Sequence, residues 1–185
     1  MVILDAVSIQ DIRAYRALLE TMPEREKVCG FFGAAAEYAY RTYGLTPVFV
    51  AVEKHLDPGA GQLAARGLTI PHYFLDDAGG AGTIIGALSR MQAVVSMRLH
   101  ALIFAAGQGI PLAGVVYDPK VSAFLRYIGQ EQFVDLAELT GQNLCAMIDQ
   151  CVAQAAHPEA QAAAVRNLQA MEQKNVEVAR RLLKG

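Results

Sequence analysis

Net charge is almost absent from this sequence. Sixteen lysines and arginines stand against 18 aspartates and glutamates, a balance of −2. Nothing here offers the basic face that nucleic acid or an anionic membrane would need. Cysteine is scarce as well. Cys29, Cys145 and Cys151 make an odd number without metal-ligand spacing, which argues against a disulfide framework and fits a reducing compartment. No apolar run reaches the roughly 18 residues a membrane-spanning helix requires. The opening MVILDAVSIQ lacks the basic start and long apolar stretch of a secretory leader. Internal repeats, low-complexity tracts and interdomain linkers are missing too. These absences predict a soluble, cytoplasmic protein with no nucleic-acid or membrane partner.

Apolar residues are plentiful: 54% of the 185 residues are hydrophobic and 18% charged, enough for one α/β domain with a sizeable core over 1–185. The most ordered pattern is AVVSMRLHALIFAAGQGIPLAGVVYDPKVSAFLRYIG, Ala93–Gly129. Ala93–Val95 and Leu112–Val116 are short buried runs with strand character. Between them Leu99–Ala106 is apolar almost all round, as a buried helix would be. Gly109 and Pro111 supply the permissive residue and the breaker expected after a helix end. The result is strand–helix–strand, the unit from which parallel sheets are wound.

Open α/β sheets bind ligands beyond the carboxyl ends of their strands. Ser96–His100 follows the first strand of this unit, and Tyr117–Lys120 follows the second. A cation in the first turn of a helix opposes the helix dipole, at a cost of roughly 0.3–1 kcal/mol. A bound anion reverses that argument, because backbone N–H groups and the Arg98 guanidinium would then act together. Positions two apart on a regular helix diverge by about 200°. Arg98 and His100 can face one ligand only if Arg98 lies in the incoming loop or the cap, and Ser96 is the expected N-cap. The plainer reading pairs Arg98 with a carboxylate and buries His100 as a core histidine.

The stretches SMRLHALIFAA and GIPLAGVVYDPKVSAFL resemble the polysaccharide pyruvyltransferase family. Its characteristic MRLHALIFAA and YDPKV segments stand here as Met97–Ala106 and Tyr117–Val121. The resemblance implies a Rossmann-like parallel sheet with flanking helices, like the C-terminal half of a two-domain GT-B fold. It implies transfer of a pyruvyl group from phosphoenolpyruvate to a sugar of a cell-surface glycan, forming a pyruvate ketal. Arg98 would bind the donor anion and stabilise charge, and His100 would be the general acid or base. Lys120, Asp118, Ser96 and Glu53 would complete substrate binding, with no metal and no cofactor beyond the donor itself. The acceptor glycan would need a preceding domain or a partner subunit, and a homo-oligomer is compatible with this reading. The family's second anion-binding arginine has no counterpart at Asp5-Ala6-Val7, which leaves Arg13 or Arg16 as substitutes. Two other readings compete: a nucleotide-sugar-dependent GT-B glycosyltransferase domain, and a non-catalytic binding or assembly module.

Elsewhere the pattern predicts a strand at Val2–Leu4 and helices over Ser8–Thr21 and Pro23–Tyr43. A strand follows at Pro47–Val52, with Glu53, Lys54 and His55 at its carboxyl end. Further on come a strand at Ile70–Phe74, a flexible glycine-rich connection at Asp76–Gly82 and a helix at Thr83–Met91. Asp118-Pro119 reads as a cap and first-position pair, and Phe133-Val134 as a small edge strand. Helices are expected at Thr140–Ala156 and from Pro158 to about Lys184. The last has an apolar stripe through Val165, Leu168, Met171 or Glu172, Val176, Ala179 and Leu182, part of which is expected to be exposed.

Overall fold

A computed structural model describes residues 2–5, 22–52, 57–77 and 79–184. The predicted helix over Ser8–Thr21, with Arg13 and Arg16, lies outside them, as do Glu53, Lys54 and His55. Among the described residues, six parallel strands form one sheet in the order β3-β2-β1-β4-β5-β6. They are β1 (Val2–Asp5), β2 (Pro47–Val50), β3 (Tyr73–Leu75), β4 (Ala93–Ser96), β5 (Leu112–Val116) and β6 (Phe133–Asp135). Every residue of β2, β4 and β5 is buried. Their near-continuous apolar sequence is what a parallel sheet covered on both faces requires.

Helices α1 (Met22–Tyr43) and α2 (Asp57–Ala64) pack together over β1 and β2, and α6 (Gly141–Ala155) joins α1 over β4 and β5. The opposite face carries α3 (Ala81–Leu88), α4 (Leu99–Gly107) and α5 (Pro119–Tyr127), packed in that order side by side. This is the doubly wound arrangement, with each crossover returning the chain to the same end of the sheet. Strand order reverses between β1 and β4, where Asp5 pairs with Ser96. Beyond those two carboxyl ends lies the crevice in which such folds hold ligands.

Local chemistry sets most boundaries. Gly44 and Gly109 have φ of 67° and close α1 and α4 in the left-handed conformation. Their following amides bond back to Ala39 and Ala105. The strand expected at Ile70–Phe74 starts instead at Tyr73, because Pro71 has no N–H to give the ladder. The helix expected from Thr83 begins at Ala81, behind a fully extended Gly80.

The long helix α7 (Pro158–Lys184) touches α4 and α6. Of the stripe, Val165, Leu168 and Met171 are half-buried, while Val176 and Leu182 stand 38% and 79% exposed. The expected partial exposure of its stripe therefore falls at its C-terminal end. No helix among the described residues is long and apolar enough to cross a membrane.

Candidate active site

The site begins where β4 ends. Ser96 is fully buried, and its Oγ accepts a 2.9 Å hydrogen bond from the Arg98 amide. Its hydroxyl also reaches the Arg98 carbonyl at 3.4 Å. Arg98 is the N-cap of α4, with φ −83° and ψ 120°. This corrects the expectation that Ser96 caps the helix. Ser96 is still paired on both sides, to Asp5 and to Gly114, so its backbone belongs to the strand. Arg98 consequently stands in extended backbone outside the first turn, which meets the geometric condition for sharing a ligand with His100.

His100 is exposed, so the reading of a buried core histidine does not hold. Its ring lies 6.3 Å from that of Phe104, tilted by 40°. Both help to line a cleft of about 210 Å³ with Ala51, Val52, Gly79, Gly80, Ala81 and Ile84. The glycine-rich loop, expected only to connect β3 to α3, thus lines the same cleft as His100. Gly79 turns at φ 70° and donates its amide to Asp77 Oδ1 at 3.0 Å. Placement of glycines immediately before a helix was the sequence signal for this lining. Arg98 is not among the described residues lining the cleft; it stands at the neighbouring strand end.

Asp118 and Lys120 follow β5, the strand beside β4. Asp118 caps α5 by accepting the Lys120 amide at 2.8 Å, with Pro119 in the first helical position. The exposed Lys120 ammonium lies 3.9 Å from Asp118 Oδ2 and 5.7 Å from the centre of the Tyr117 ring. The side chain is folded over its own cap. Neither α3 nor α4 carries an acidic residue in its first turn. The positive ends of both dipoles, with Arg98 and Lys120, therefore make this end of the sheet attractive to an anion.

No cysteine is poised as a nucleophile. Burial raises the thiol pKa of Cys29 and Cys145 and pushes that of Cys151 up to about 12, so the protonated form dominates near neutrality.

Residues 35–119 match the family model of polysaccharide pyruvyl transferases. The matched region contains Ser96, Arg98, His100 and Asp118 and ends one residue before Lys120. Among solved structures, one described as "Crystal Structure Analysis of the Glycotransferase of kitacinnamycin" resembles this chain with a TM-score of 0.58 at 18% identity. The match covers 91% of this chain and 39% of that one, so this chain spans less than half the length of that glycosyltransferase. At this identity the likeness is one of fold, an α/β architecture of the GT-B-like kind. No curated protein sequence matches the chain.

Proposed function

We propose that this chain is the donor-binding domain of a polysaccharide pyruvyltransferase, using phosphoenolpyruvate to form a pyruvate ketal on a glycan sugar. One observation carries the reading. An N-cap arginine and an exposed histidine two residues on stand beside the strand-order reversal, inside the family-matched region, next to helix N-termini without acidic first turns.

The chemistry explains why these groups belong together. Phosphoenolpyruvate carries a carboxylate and a phosphate on the same carbon framework, so positive charge must hold both. A proton is added to the methylene carbon, and one sugar hydroxyl bonds to C2. A second hydroxyl then closes the ring as the C2–O bond to phosphate breaks. Of the two protons lost by the hydroxyls, one balances the new methyl group and the other leaves with phosphate. Arg98 binds the donor anion and stabilises charge at its departure. His100 exchanges protons as general acid or base. Lys120 adds positive charge from the next strand end, and Asp118 holds that loop. Glu53 completes the donor-binding assignment, and the fully buried Ser96 supports it from the end of β4. The acceptor glycan is held by a preceding domain or a partner subunit in the cytoplasm.

Nuclear magnetic resonance titration tests this reading. Phosphoenolpyruvate is expected to shift the backbone signals of 96–101 and 118–120 and the ring signals of His100, while a UDP-sugar leaves them in place. Shifts produced by the UDP-sugar alone would make the chain a nucleotide-sugar glycosyltransferase domain instead.

A further inference from the structure

We infer that Ser96 is a positioning residue, holding Arg98 and His100 in their working arrangement without touching the donor; this rests on the donor reading above. Ser96 is the polar side chain that the described core buries completely. A hydroxyl with no exposed surface does not meet a substrate arriving from solvent. Two of its contacts run to Arg98: Oγ accepts the Arg98 amide at 2.9 Å and lies 3.4 Å from the Arg98 carbonyl oxygen.

Those bonds have a specific mechanical consequence. The Arg98 amide lies at the start of α4, where backbone donors have no partner within the helix. Ser96 supplies the acceptor from a residue locked at the centre of the sheet, paired to Asp5 on one side and Gly114 on the other. The bond fixes the backbone at φ −83° and ψ 120°, which takes Arg98 off the helical spiral. The Arg98 carbonyl in turn accepts the Leu102 amide at 3.2 Å. The first turn of α4, carrying His100, therefore starts from a rigid reference. An alanine at 96 withdraws the acceptor and lets the Arg98 backbone move, with the guanidinium following.

Calorimetric titration with phosphoenolpyruvate, on the 185-residue chain, tests the assignment. Ser96→Ala is expected to weaken donor binding roughly five- to tenfold, the range for loss of one hydrogen bond, in a chain still folded at the titration temperature. Because Ser96 acts mainly by placing the Arg98 guanidinium, its effect is clearly smaller in the background of Arg98→Lys, a cation that lacks the guanidinium fork. If Ser96→Ala does not fold, Ser96→Cys fills the same space with a poor acceptor and is expected to give the same weakening. Unchanged donor affinity in a less thermally stable Ser96→Ala would overturn the assignment and leave a structural hydroxyl. Full additivity with Arg98→Lys would overturn it as well. Wild-type chain that does not bind phosphoenolpyruvate removes the donor reading and this inference together. Wild-type binding with a normal Ser96→Ala affinity removes the inference alone.

Discussion

At the scale of single residues, the account stands on a two-residue offset. Arg98 at a cap and His100 in the first turn can address one anion, whereas the same pair inside a regular helix would diverge. His100→Ala is expected to lower kcat by about 10²- to 10⁴-fold, the range for losing general acid–base catalysis, with a small change in donor affinity. Phosphate release in the presence of acceptor measures it, and an unchanged kcat would remove His100 from proton transfer. A second prediction concerns Tyr38 and Tyr43, which donate to the same oxygen of Asp149 at 2.8 and 2.7 Å. The carboxylate raises both phenol pKa values. A raised folded-state value means that the contribution is complete below the unfolded tyrosine value of about 10 and is lost as pH climbs through the folded one. The melting temperature should therefore fall above about pH 10, less steeply in Tyr38→Phe/Tyr43→Phe. Parallel profiles for the two proteins would contradict this. Candidate residues were legible in the sequence because arginine and histidine are costly ornaments at a strand end. Ser96 looks like a cap in the sequence because it stands three residues ahead of the helix start at Leu99. Its actual bond to the Arg98 amide depends on sheet pairing, which no local spacing encodes.

At the scale of elements, two glycines of α1 separate helix propensity from packing. Gly30 is exposed with nothing within 4 Å of an added Cβ, and Gly30→Ala should raise stability by about 0.5–1 kcal/mol through propensity alone. Gly33 is buried where α1 crosses α2, and a Cβ there would run into the carbonyl oxygen of Ala64. Backbone cannot swing aside as a side chain does, so the overpacking cost of about 1–3 kcal/mol outweighs the propensity gain and Gly33→Ala should destabilise. Chemical denaturation of the two variants checks the opposite signs. Asp118→Ala should cost about 1 kcal/mol as a lost N-cap, read in the same experiment. The elements best read from sequence were those with uninterrupted signals. β5 was placed at its observed bounds, and α4 to within a residue of its end. Pro71 shortened β3 because hydrophobicity says nothing about which residues can donate to a ladder.

At the scale of the whole molecule, function follows from strand order. Parallel strand–helix–strand units were readable in the sequence, but the juxtaposition of β1 with β4 joins residues 5 and 96 across the chain. That contact creates the crevice. The same long-range packing brings Gly79 and Gly80 into one cleft with His100, which turns a nondescript connection into part of the candidate site. The family's sequence signal reaches from residue 35 to residue 119, while the fold likeness extends over 91% of the chain. The most direct measurement is a calorimetric titration of wild type and Arg98→Ala with phosphoenolpyruvate, beside a UDP-sugar. The account predicts saturable phosphoenolpyruvate binding that Arg98→Ala abolishes, with the UDP-sugar silent. Equal binding by both proteins, or binding of the UDP-sugar alone, would contradict it.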